Sequence, residues 1–140
     1  MTIEPNTEFF HRETLTVVKA REYCGDVVAM DDCGFAGMVE RADFLRDYAP
    51  NVPVTPELLE RMGWECSPGS DREISRYDLK ADDEHKLCVF FADGDLHGFS
   101  LFSDKGSELI LPEPRTLRDI INTLRCKGVN AEIPQEVVNG

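Results

Sequence analysis

The sequence predicts an α+β protein: a small N-terminal curled β-sheet, a linking helix, and an antiparallel β-meander packed by a C-terminal helix. Three observations predict it. Short runs of β-branched and aromatic residues, separated by turn residues, fill both ends of the chain. Between them, Pro53-Val54-Thr55-Pro56-Glu57-Leu58-Leu59-Glu60-Arg61-Met62-Gly63-Trp64 reads as a helix with both ends specified. Near the C-terminus, Leu117, Ile120, Ile121 and Leu124 recur at i, i+3, i+4 and i+7, one apolar helical stripe.

In chain order, residues 1–12 read as a loosely held start in which Phe9-Phe10 must dock. Thr14 to Ala20 is expected as a strand, broken by Cys24-Gly25-Asp26. Val27–Met30 is a second strand, Asp31 to Gly34 a turn and Phe35–Val39 a third strand. Residues 41–48 fit two readings: Phe44, Leu45 and Tyr48 fall at helical spacing, while Phe44–Tyr48 also suits a strand. The prolines at 50 and 53 hold the next stretch extended.

The helix over 56–62 follows from its ends. Thr55 offers a hydroxyl as N-cap, and Pro56 at the first helical position loses no useful N–H. Gly63 supplies the positive φ of a C-cap, and Trp64 is expected to fold back over the helix. Beyond a loop at 66–72, Ile74–Leu79, Lys86–Ala92, Leu96–Phe102 and Leu109–Leu111 are expected strands, the last stopped by Pro112. Asp93-Gly94 marks a hairpin turn. Simple alternation puts Leu96, Gly98, Ser100 and Phe102 on one face of their strand, and His97, Phe99 and Leu101 on the other. Thr116 with Asp119 three residues on resembles a capping box, and Gly128 ends the last helix. Ala131–Ile133 is expected to return to the sheet. The domain reading is a β-rich lobe at 1–52 and a helix–meander–helix lobe at 53–140, forming one continuous globular unit.

Composition bounds the function. The 140 residues are 41% hydrophobic, with eight Phe, three Tyr and one Trp, enough for a core. No run of 18 apolar residues exists, so no membrane helix is expected. The start Met1-Thr2-Ile3-Glu4-Pro5 lacks the basic, apolar pattern of an export signal, so a bacterial or host cytoplasm is the expected location, with a virion as the alternative. Fifteen basic and 27 acidic residues give a net charge of −12. That argues against a free nucleic acid as ligand, which needs clustered Lys and Arg. It favours solubility first and, beyond that, a basic or nucleic-acid-binding protein partner. The five cysteines are widely spaced without C-x-x-C, which speaks against a zinc site or a disulfide framework and for buried free thiols.

Each candidate site has a plainer explanation beside it. Asp93, Asp95 and His97 offer oxygen and nitrogen ligands for a divalent metal, but the D-G turn already accounts for the first of them. Arg118, Asn122 and Arg125 share one face of the last helix, where basic residues near a helix end also favour the dipole. Trp64 is a candidate interface anchor, expected to lie partly exposed. Neither a nucleophile elbow nor a phosphate-binding glycine loop is present. No cofactor is expected.

Pro53 to Trp64, followed by a meander and the helix from Leu117 to Ile133, resembles a group of small uncharacterised proteins. These come from gut bacteria of the Bacteroides type, their phages and their mobile elements. They share a P-L-T-P-E-I-L-x-x-x-G-F helix after a small β-rich unit. Members often carry a His where this chain has Arg118 and a Gln where it has Ile121, so that polar pair is missing here. The resemblance implies a fold and a phage or mobile-element setting, and no catalytic residue. The function expected is a non-enzymatic acidic interaction protein, acting as accessory, inhibitor or assembly factor. A self-associating virion component and a small metal-dependent enzyme are the alternatives.

Overall fold

The computed structural model describes residues 3–34, 36–67, 73–110 and 113–129. Among them are ten strands and three helices, an α+β arrangement with two antiparallel sheets of five strands each. The described residues divide into two compact units, 3–51 and 52–129. None of the described helices is long and apolar enough to cross a membrane.

The first unit contains β1 (Thr7–His11), β2 (Val17–Tyr23), β3 (Asp26–Met30), β4 (Ala36–Glu40), helix α1 (Arg41–Asp47) and β5 (Tyr48–Pro50). Its sheet runs β4-β3-β2-β1-β5. One face packs Phe9, Val18, Ala20 and Val27 against Ile3 and Phe44 of α1. The Phe44 ring stacks on Tyr48 at 4.7 Å and meets Phe9 edge-on at 5.0 Å.

Three expectations for this unit change. Residues 7–11 are an interior strand rather than a loose start, because Phe9 and Phe10 are both buried and the backbone pairs with β2 and β5 at once. The strand expected from Thr14 begins at Val17 instead. Leu15 has a positive φ of 63°, and the N–H groups of Glu13 and Thr14 turn back onto His11 Nδ1 at 3.2 and 3.3 Å. Of the two readings of residues 41–48 the helix holds, over Arg41–Asp47, where Phe44 is buried against the sheet; the strand expected at Phe44–Tyr48 is not formed, and β5 begins only at Tyr48. The start of the Phe35 strand and the segment 131–133 lie outside the described residues.

The second unit contains α2 (Pro56–Arg61), β6 (Glu65–Cys66), β7 (Ile74–Lys80), β8 (His85–Ala92), β9 (Asp95–Ser103), β10 (Gly106–Leu109) and α3 (Leu117–Cys126). Its sheet is a simple meander, β10-β9-β8-β7-β6. Tyr77, Leu87, Val89, Phe91 and Phe99 form one face, against which Leu59 and Trp64 of the α2 region and Ile120 and Leu124 of α3 pack.

The two helices of this unit are built alike. Thr55 and Thr116 are their N-caps, each hydroxyl accepting the N–H three residues on, from Leu58 at 3.2 Å and Asp119 at 3.4 Å. At the other ends Gly63 and Gly128 take φ of 89° and 76°. Trp64 N–H reaches Leu59 O and Val129 N–H reaches Leu124 O, each at 2.9 Å, the six-to-one bond of a Schellman cap. The lead-in segments pair with each other: Val54 N–H donates to Arg115 O at 2.9 Å, and Leu117 N–H to Val52 O at 2.8 Å. Both helices therefore start from one short ladder centred on Pro53 and Thr116.

The Asp93-Gly94 turn has positive φ at both residues, 52° and 84°, as a two-residue hairpin requires. The alternation expected along β9 is interrupted. Phe90 stands opposite Gly98 but Phe91 opposite Leu96, so His97 is one extra residue in a bulge. Leu96 thereby joins Phe99 on the core face, and Gly98, Ser100 and Phe102 keep the other.

Candidate functional site

A groove of about 680 Å³ runs beside α3 in the second unit. The inward stripe Leu117, Ile120, Ile121 and Leu124 is fully buried, which turns Arg118, Asp119, Asn122 and Thr123 outward. Those four form one wall of the groove. Among the described residues, Ile110, Glu113, Pro114 and Arg115, from the segment that leads into the helix, also line it.

The cap geometry holds this segment in place. Arg115 N–H donates to Asp119 Oδ2 at 3.3 Å while Asp119 N–H donates to the Thr116 hydroxyl. This is a capping box displaced by one residue: the carboxylate at the third helical position meets the N–H before the N-cap rather than that of the N-cap itself. Arg115 also pairs with Glu113 at 3.2 Å, and Arg118 with Asp119 at 3.7 Å. The groove thus presents guanidinium, amide and hydroxyl groups beside two carboxylates and an apolar floor of Ile110 and Pro114. Its planar guanidinium donors are of the kind that suits carboxylate or carbonyl acceptors.

Of the interaction residues expected from the sequence, Arg118 and Asn122 come together in this groove. Arg125 is exposed near the end of α3 and is not among the groove residues. Trp64 is corrected from a partly exposed anchor to a core residue. It is 3% exposed and packs edge-on against Phe99, because the Schellman cap folds it back onto Leu59. Its indole N–H has no hydrogen-bond acceptor among the described residues. The groove residues Ile110, Glu113 and Pro114 were not predicted. The only local signal for them is the position of Arg115 directly before the Thr116 cap.

Asp93, Asp95 and His97 are spread over a turn and a bulge, all three exposed. Among the described residues no group of three or more His, Cys, Asp or Glu side chains is placed to hold a metal ion. The thiols also depart from expectation: Cys24, Cys33, Cys66 and Cys126 are exposed and only Cys88 is buried. Cys24 and Cys33 sit at turns beside Gly25 and Gly34, Cys66 on a two-residue edge strand, and Cys126 in the last turn of a helix.

Other polar groups in this unit are set by cross-strand pairing. Cys88 lies opposite Asp78, whose carboxylate meets Arg76 at 3.0 Å and Lys86 at 3.3 Å. Burial, and then the neighbouring Asp78, push the Cys88 thiol up to about 12, so it stays protonated and unreactive at neutral pH. Tyr77 Oη donates to Glu60 Oε1 at 3.1 Å; burial first, then this bond, pushes the phenol up to about 12. The Asp82 carboxylate sits below its ordinary range, chiefly through its hydrogen bond with His85 Nδ1 at 2.8 Å. No protein-family model, curated protein or solved structure matches this chain.

Proposed function

We propose that this chain is a non-enzymatic interaction protein of phage or mobile-element origin that binds another protein through the α3 groove, as an accessory, inhibitor or assembly factor. One observation carries the reading: Arg118 and Asn122, singled out by their shared helix face, line the same groove as Arg115, Thr123 and an apolar floor. Such a mixture holds a polypeptide segment by several moderate contacts. The phage or mobile-element setting rests on the resemblance of Pro53–Trp64 and the final helix to that group of proteins.

The test is affinity capture from native or infected cells with wild-type chain and with Arg118→Glu/Asn122→Ala. The expected outcome is a stoichiometric protein partner retained by the wild type and lost by the variant at equal folded content. Recovery of the bait alone from both, or equal recovery of the same partner by both, would overturn the groove as the binding surface.

A further inference from the structure

The first unit carries a second surface that the α3 groove does not involve. Strand β4 is an edge of its sheet, and no described strand pairs with its outer side. Ala36, Gly37, Met38 and Glu40 are exposed and only Val39 is half-buried, so among the described residues the outer row of backbone N–H and C=O groups has no strand partner. The other edge of that sheet, β5, has three residues, and the edges of the second unit's sheet, β6 and β10, have two and four. With five residues, β4 is long enough to template another strand.

The register shows what an added strand would meet. Met38 stands opposite Val28, and Ala36 opposite Met30, on the face turned away from the Val18–Val27 core. Met38 is 60% exposed and Met30 48%, a flexible apolar strip beside the open edge. Two residues along the same face, Asp26 and Glu40 stand directly opposite each other. Like charges in that arrangement repel. Among the described residues no cation lies within ion-pairing distance of either, since Arg41 is taken by Glu22 at 2.9 Å. Lys19 and Arg21 belong to β2, one strand further inward than Asp26 and two strands in from the edge. A strand added beyond β4 therefore meets the two carboxylates before it meets any cation.

We propose that β4 binds an extended strand of a basic protein partner by β-augmentation, with an apolar residue over Met38 and a Lys or Arg against Glu40 and Asp26. Residues on one face of a strand are two apart. In antiparallel addition the partner reads Lys/Arg-x-apolar-x-apolar: the cation opposite Glu40, the first apolar residue opposite Met38, the second over the small Ala36. Main-chain hydrogen bonds supply the affinity, and the alternate side chains supply the selection.

The test uses purified full-length chain and a fluorescein-labelled peptide, Gly-Lys-Thr-Val-Thr-Val-Gly, with a control in which Glu replaces Lys. The expected result is saturable binding of the Lys peptide, about tenfold tighter than the Glu peptide at low salt. Hydrogen exchange should slow at alternate amides of Ala36–Glu40. Asp26→Lys/Glu40→Lys should reverse the preference between the two peptides, and Met38→Ser should weaken both; Met38 and Glu40 are exposed and Asp26 is half-buried, and circular dichroism checks that each variant folds. Equal binding of the two peptides, no saturable binding, or protection elsewhere would overturn the proposal. A dimer in sedimentation equilibrium that Met38→Lys dissociates would also overturn it, assigning the edge to a second copy. The groove variant Arg118→Glu leaves this titration unchanged, so failure here and failure of the groove reading are separate results.

Discussion

Tyr77 and Cys88 hold their protons more firmly in the fold than in the unfolded chain, each pushed up to about 12 from ordinary values of 10 and 9. An acid whose folded pKa is raised stays neutral in the native state while the unfolded chain ionises. The stability these groups contribute is complete below about pH 9 and is lost as pH rises toward 12. Urea midpoints are therefore expected to fall between pH 8.5 and 10.5. Tyr77→Phe should flatten its share of that fall and cost about 1 kcal/mol at neutral pH, the worth of one hydrogen bond to a solvated carboxylate. Cys88→Ala should flatten the earlier part of the limb. An alkaline limb unchanged in both variants would show that other groups set it. Neither shift was legible in the sequence. The partner of Tyr77 lies 17 residues away on α2, and the contact of Cys88 with Asp78 exists only through the β7–β8 register.

At the scale of elements, what could be read in advance was what is written locally. The α2 and α3 caps and the Asp93-Gly94 turn need only neighbouring residues, and all three formed where expected. Strand β1 and the His97 bulge were missed for the opposite reason. Phe9 and Phe10 are both buried, so β1 has no alternation to read, and the bulge is defined by its partner strand. The groove was half legible: Arg118 and Asn122 share a helix face, while its other wall comes from a loop segment with no period. The caps make a quantitative prediction. A Cβ at Gly63 or Gly128 would meet nothing within 4 Å, so Gly→Ala there tests backbone strain alone. Each should cost about 1–2 kcal/mol, the penalty of a left-handed L-residue. Gly37 also has open space but no positive φ, so Gly37→Ala should stay within about 0.5 kcal/mol of wild type. Thr55→Ala and Thr116→Ala should each lose about 1 kcal/mol. Urea denaturation of the five variants checks the ranking, and equal effects at all three glycines would refute the strain argument.

For the whole molecule, the division at Asn51/Val52 falls where the chain leaves one ladder and enters another: Pro50 ends the pairing of β5 with β1, and Val52–Val54 pair with the lead-in to α3. The acidity was plain from composition, and it sets how salt acts on stability. A net charge of −12 repels itself over a Debye length of about 30 Å at 10 mM salt, comparable to the size of a small domain. The ion pairs work against that repulsion at contact distances of 2.8–3.7 Å, and each has at least one partner about a third exposed or more. Pairs of that kind contribute about 0–1 kcal/mol each and are only partly screened at contact. Salt should therefore remove more repulsion than attraction. The melting temperature is expected to rise by about 2–5 °C between 10 and 300 mM sodium chloride, the shift of roughly 1 kcal/mol in a chain this size. Chloride rather than sulfate is the right probe, since sulfate stabilises folded chains by exclusion whatever their charge. A melting temperature that falls with chloride would mean that the Arg76–Asp78–Lys86 cluster and its surface counterparts outweigh the acidic excess.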